Sequence, residues 1–191
     1  QIRQRNLMPR TVARKLSCLR SFFKYLQREN LIDKNPAVLL MTPKLDKKLP
    51  HFLTEEEAVQ LIESPRQDKA AELRDRAIFE TLYSAGIRVS ELVGLNVNSV
   101  DIIGNVIRVM GKGRKERIVP IGEKAVEAIK EYCDRRVSKS SALFLNKSGG
   151  RLTARSVGNI INKYIKREGA GKHVSPHMLR HSFATHLLDH G

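Results

Sequence analysis

Over residues 11–29 the apolar side chains Val12, Leu16, Leu19, Phe22, Phe23 and Leu26 recur at spacings of three and four. That period predicts one amphipathic helix, and Pro9 and Thr11 suit its start. Arg10, Arg14, Lys15, Arg20, Lys24 and Arg28 take the remaining faces. One helix cannot bury its own apolar stripe, so further helices are expected ahead of it or from elsewhere. Asn35-Pro36 and Thr42-Pro43 then break the pattern, and Lys44–Leu49 is basic and polar. These features predict a linker at 41–52 between a helical piece, 1–40, and a larger domain, 53–191.

Thr54-Glu55-Glu56-Glu57 fits a capping box and opens a new helix. A stronger helix is predicted at 70–85, with Leu73, Ala77, Ile78, Leu82 and Tyr83 inward and Gly86 as its stop. A short helical turn follows near 89–94. The period then changes to short β-branched runs, Val100–Ile103, Val106–Val109 and Arg117–Ile121. Gly104-Asn105 separates the first two, a hairpin signal. Helices return at 123–136, 154–167 and 177–189, where Pro176 suits a first turn. The predicted fold is mainly α with a small antiparallel three-stranded sheet (α+β). Tyr25 and Tyr83 sit among apolar residues and read as core, and Tyr132 and Tyr164 also fall on helices.

Composition changes this picture in one respect. At 191 residues, 41% hydrophobic and 29% charged, the chain reads as globular. No apolar run approaches the ~20 residues of a membrane span, so no membrane association is expected. Cys18 and Cys133 lie in unrelated helical contexts and form neither a disulfide framework nor a metal spacing. The net charge, however, is +15. Residues 1–50 carry 12 Lys and Arg against 3 Asp and Glu, or +9, and residues 51–191 carry +6. Such an excess speaks about partners, and a polyanion such as nucleic acid is the expected one. The first helix, ~28 Å long by its rise per residue, can lie in or across a DNA groove.

Three clusters carry candidate chemistry. Gly111-Lys112-Gly113-Arg114-Lys115-Glu116-Arg117 stands between the second and third strands. Its glycines let backbone approach backbone, and a lysine there can reach a phosphate. A phosphate-binding P-loop is excluded by spacing, while a solvated turn fits charge and glycine equally well. Arg88, flanked by Ile87 and Val89, is expected to be partly buried and so paired. Glu91 can hold it, either as a structural bridge or as support for an anion clamp. In His177-Met178-Leu179-Arg180-His181 the i,i+3 and i,i+4 spacings place His177, Arg180 and His181 on one helix face. The helical zinc-protease signature needs a glutamate directly after its first histidine, and Met178 stands there. His186 and His190 repeat the spacing without an acidic or cysteine cluster. No metal is expected.

Taken together, Gly-Ile-Arg-Val-Ser-Glu-Leu at 86–92, the basic loop at 111–117, and Ser-Pro-His-Met-Leu-Arg-His-Ser-Phe-Ala-Thr-His-Leu-Leu at 175–188 resemble the tyrosine recombinases. The likeness is greatest to the Xer-type enzymes that resolve chromosome dimers and to related integrases. It covers nearly the whole chain, with 1–40 similar to the end of the family's helical core-binding domain and 53–191 to its catalytic domain. The resemblance implies site-specific DNA cleavage and rejoining through a 3′-phosphotyrosine. It makes Arg88, Lys112, His177 and Arg180 catalytic, with Glu91 and His181 in support. It also sets Arg10, Thr11, Arg14, Lys15, Arg20, Arg114, Lys115 and Arg155 against DNA. No cofactor is implied. The implied partners are a double-stranded recombination site and a tetramer of identical or homologous subunits, working in the cytoplasm on the nucleoid.

The family continues beyond its second arginine into a Gly-His (or Trp) motif and a nucleophilic tyrosine. Tyr25, Tyr83, Tyr132 and Tyr164 all precede His177. The expectation is a chain that binds DNA without cleaving it, short of helices at its front and of the tyrosine segment at its end. Two other readings share these residues: a non-catalytic DNA-binding regulator of the same fold, and a type IB topoisomerase-like enzyme.

Overall fold

The computed structural model describes residues 7–45, 53–66, 68–111, 113, 115–167 and 175–189, with the side chains of 176 and 177 set aside. The chain divides into two compact units, residues 1–50 and 51–191.

The first unit is built on α1 (Pro9–Arg28). Proline fits the first turn because its missing N–H needs no partner there. Beyond the helix, Asn30 adopts a left-handed φ of 56° and the Leu31 N–H reaches the Leu26 carbonyl. Leu16 is buried, whereas Phe22 and Tyr25 are 53% and 51% exposed. The expectation of Tyr25 as core is thereby corrected. It stands on α1 with the Arg28 guanidinium 5.5 Å from its ring centroid. Described residues around α1 amount to one short return segment, too little to cover a full apolar stripe. Arg20 ties that segment down. Its Nη1 donates to Thr42 Oγ1 at 2.8 Å, its Nε to the Ala37 carbonyl at 3.4 Å, and its Nη2 to the Leu40 carbonyl.

The second unit starts at α2 (Glu55–Glu63), where Thr54 and Glu57 complete the capping box, each side chain accepting the other's N–H. The buried centre is α3 (Ala70–Ala85), with Leu73, Ala77, Ile78, Phe79 and Leu82 all inside. It ends where Gly86 turns left-handed at φ 55°. Then come α4 (Val89–Gly94), a 3-10 turn at Val97–Ser99 and three strands: β1 (Val100–Asp101), β2 (Val106–Met110) and β3 (Glu116–Pro120). They pair antiparallel in the order β1-β2-β3, with Ile107 opposite Val100 and Val119. Ile107 and Val109 alternate into the core.

Three helices close the unit: α5 (Glu123–Arg135), α6 (Ala154–Arg167) and α7 (Pro176–Asp189). Helices α2, α5 and α7 pack on α3. Tyr164 of α6 meets Phe79 edge-on, and its hydroxyl donates to buried Asp75 at 3.0 Å. The architecture is the expected one, with one element shorter than its β-branched run predicts. Asp101 Oδ1 accepts the N–H groups of Ile103 and Gly104, so the chain turns two residues early and Ile103 is 97% exposed. Local aspartate turn chemistry outweighs the strand preference of two isoleucines.

Candidate active site

The site begins where α3 hands over to α4. Ile87 is buried and anchors the junction, and Arg88 occupies the position before the first turn of α4. An arginine has no acceptor and cannot cap a helix with its side chain. Glu91 supplies the reciprocal half, its Oε2 accepting the Arg88 N–H at 2.8 Å. The same carboxylate takes Arg88 Nη1 at 3.2 Å. Glu91 is 5% exposed and the Arg88 side chain 56%, so the guanidinium is held at one edge and open at the other.

A second arginine reaches this carboxylate from the sheet. Arg117, on β3, donates Nη1 to Oε1 at 2.9 Å and Nη2 to Oε2 at 3.0 Å, a two-pronged fork. Those bonds are the largest cause holding the Glu91 carboxyl down to about 2, with the Arg88 donors adding to them and burial acting in the opposite direction. The Arg117 guanidinium is pushed up by the same bonds. A shallow cavity of about 370 Å³ opens beside Glu91, with Arg108 and Glu116 in its wall. Arg117 is the residue at this site that motif reading passed over. It closes the basic loop motif, but its partner lies 26 residues away on another element.

The loop itself is pinched shut by the Gly111 N–H donating to the Lys115 carbonyl at 2.8 Å. A Cβ on Gly111 would lie 3.1 Å from Arg117 Nη1, so the loop backbone rests against the fork that holds Glu91. Lys112 and Arg114 lie outside the described residues, and Lys115 is exposed.

The remaining site residues ride on α7. Leu179 is fully buried, and Arg180 beside it is half-buried. Arg180 Nη1 is shielded from solvent and has no hydrogen-bond partner among the described residues. A buried guanidinium N–H without an acceptor is costly, and an anionic oxygen is its natural complement. His177 falls one turn earlier on the same helix, its side chain outside the described set. His181 is exposed.

Two contacts set α7 in place. Phe183, three residues past Arg180, lies so near Gly86 that a Cβ there would meet its Cδ1 at 2.3 Å. This brings the turn carrying Arg180 to the junction carrying Arg88. Next to Phe183, Ser182 Oγ accepts the Leu53 N–H at 2.8 Å, and one turn on the His186 ring bridges the Leu53 carbonyl and the Tyr83 hydroxyl.

The other candidate residues are dispersed. Arg10, Arg14 and Lys15 are exposed on α1, Thr11 is half-buried there, and Arg155 is exposed at the start of α6. Arg20 differs from them, because its guanidinium is taken up by Thr42 and two backbone carbonyls of its own unit. Of the tyrosines, Tyr83, Tyr132 and Tyr164 are engaged with His186, the Leu145 N–H and Asp75. Burial pushes each of these phenols above its ordinary value. Among the described residues no group of three or more His, Cys, Asp or Glu is placed to hold a metal, and no helix is long and apolar enough to cross a membrane.

Comparison with known proteins agrees with this geometry. The sequence pattern of the Phage integrase family matches residues 51–191. Tyrosine recombinase XerC of Pelobacter propionicus is 49% identical over 180 residues, covering 93% of this chain and 60% of that protein. The crystal structure of XerA recombinase superposes with a TM-score of 0.69 at 33% identity, over 92% of this chain and 61% of the other. The XerH site-specific recombinase, bound to palindromic difH substrate in a post-cleavage complex, gives 0.75 at 25% identity, over 99% and 57%. The chain thus spans about 60% of the length of the relatives it matches. Family pattern, identity and fold agree, and the chain belongs to the phage integrase family, the tyrosine recombinases.

Proposed function

We propose that the protein carrying this chain is an Xer-type site-specific recombinase that cuts and rejoins duplex DNA, and that these residues are its phosphate grip. The observation that carries the reading is the buried Arg180 Nη1, without an acceptor among the described residues, on a helix turn set against the Arg88 junction. A DNA phosphodiester repels nucleophiles, and its pentavalent transition state concentrates charge on the non-bridging oxygens. Fixed guanidinium donors aimed at those oxygens lower the barrier because they need no reorganisation. Arg88 and Arg180 take that role. Lys112 gives its proton to the departing 5′-oxygen, and His177 assists proton transfer at the nucleophile. The attacking tyrosine becomes a 3′-phosphotyrosine, which conserves the bond for rejoining to another strand.

The nucleophile is none of the four tyrosines here. Three are occupied by hydrogen bonds inside the second unit, and Tyr25 belongs to α1. In this reading the 191-residue chain binds DNA without cleaving it. The XerH relative bound to its difH substrate supports a duplex recombination site as the partner. Exchanging strands between two duplexes takes four cleaving subunits, so the proposed assembly is a tetramer on DNA, acting at the nucleoid.

A nicked suicide substrate that traps the covalent intermediate tests the proposal. In the full-length protein, Arg180→Gln is expected to slow trapping by roughly 10²–10³-fold, and this chain alone is expected to give no covalent band. A band from the chain alone sinks the assignment of the nucleophile. Unchanged trapping by R180Q sinks the phosphate grip.

A further inference from the structure

We propose that Arg117 is a positioning residue that keeps Arg88 available to a phosphate by engaging the negative charge of Glu91; the inference rests on the reading of Arg88 as a phosphate clamp. One buried carboxylate stands between two guanidinium groups, and the sharing is unequal. Arg88 makes a single side-chain contact at 3.2 Å, while Arg117 makes two, at 2.9 and 3.0 Å, one on each oxygen. The three groups together carry one net positive charge. Without Arg117, Arg88 and Glu91 become a neutral pair, and the carboxylate competes with a phosphate for the same guanidinium. Arg117 also touches the loop that bears Lys112, since Gly111 leaves just enough room for its Nη1.

The pH dependence follows from the same geometry. The charged groups facing Glu91 are Arg88 at the start of its own helix and Arg117 from β3, with Arg108 and Glu116 in the wall of the adjoining cavity. Arg117 is the largest influence holding the Glu91 carboxyl near 2, and burial opposes it. With Arg117 replaced by glutamine its lowering influence is lost, burial opposes only the Arg88 donors, and the carboxyl rises from its place in the unsubstituted chain. Acidification then protonates Glu91 and releases Arg88. In the unsubstituted chain Glu91 stays ionised throughout this range, so acid gives no such release.

Fluorescence anisotropy of this chain with a short DNA duplex, at pH 7.5 and 5.0 and fixed salt, tests the inference. At pH 7.5, R88Q and R117Q are each expected to bind about three- to tenfold more weakly, the scale of one lost phosphate contact. The double variant E91Q/R117Q is expected to bind more tightly than R117Q, and R117K, which keeps the charge but not the fork, to recover part of the affinity. At pH 5.0 the R117Q deficit relative to the unsubstituted chain is expected to shrink. Circular dichroism checks each fold, and if R117Q does not fold, the double variant and R117K decide. A double variant no better than R117Q, or R117K as weak as R117Q, overturns the inference. So does an R117Q deficit that is absent, or that grows on acidification. If R88Q binds normally, or the unsubstituted chain does not bind, the phosphate-clamp reading falls and takes this inference with it.

Discussion

Gly86 holds a backbone conformation and an empty volume at once. Its φ of 55° lies in the left-handed region, and the Phe183 ring fills the space that a side chain would need. A non-glycine residue in that conformation costs about 1–2 kcal/mol, and a Cβ 2.3 Å from Phe183 Cδ1 adds a clash with the half-buried ring. Gly86→Ala is therefore expected to lower the stability of the second unit by about 2 kcal/mol or more, read from urea unfolding. Combining it with Phe183→Ala separates the two causes. The clash disappears in the double variant while the backbone cost remains, so the two substitutions are non-additive. Strict additivity would mean that ring and glycine do not meet. The consequence reaches the site, because this contact aligns Arg180 with the Arg88 junction.

Helix α7 is fixed to the start of its unit by both polar groups of one residue. Leu53 gives its N–H to Ser182, and its carbonyl faces His186 Nε2 at 3.0 Å. A carbonyl can only accept, so Nε2 carries the proton and Nδ1 accepts from the Tyr83 hydroxyl at 2.8 Å. Serine and histidine four residues apart share a helix face, which lets one helix grip a single backbone position twice. His186→Ala strands the Leu53 carbonyl and the Tyr83 hydroxyl together. It is expected to cost about 2–3 kcal/mol, against about 1 kcal/mol for Tyr83→Phe, which strands one ring nitrogen. Chemical denaturation compares them, and equal losses would refute the bridging role of the histidine.

These examples mark where sequence reading succeeds and where it stops. Helices α3 and α6 and the Thr54 cap were legible because their signals are local: a period, a stop glycine, a serine or threonine three residues before a glutamate. Arg88, Glu91 and Arg180 were legible as motif positions. The bridge from Tyr83 to His186 spans 103 residues and that from Arg117 to Glu91 spans 26. No period within one segment encodes either. Tyr25 misled for the complementary reason, since an apolar stripe states what a helix wants to bury and not whether a neighbour covers it. In β1, the side chain of Asp101 redirected the chain against a strand-like pattern.

Hydrogen bonding, more than charge, sorts the candidate DNA contacts of the first unit. Residues 1–50 carry +9 of the net +15, yet charge alone does not say which cations meet phosphate. Hydrogen bonding separates them. Arg14 and Lys15 are exposed on α1, whereas Arg20 directs all its described bonds to Ala37, Leu40 and Thr42. Each phosphate contact displaces condensed counterions, so the logarithm of affinity falls with the logarithm of salt by about 0.9 for each contact. Arg14→Gln and Lys15→Gln are each expected to reduce that slope by about one. Arg20→Gln is expected to leave the slope unchanged and instead to loosen the segment from Ala37 to Thr42, which faster amide hydrogen exchange reports. The opposite pattern, a lower slope for R20Q with unaltered exchange, would mean that DNA draws this guanidinium away from its own chain. Measuring slopes rather than single affinities is what makes the comparison decisive, because a variant that weakens binding by disturbing the fold lowers affinity at every salt concentration alike.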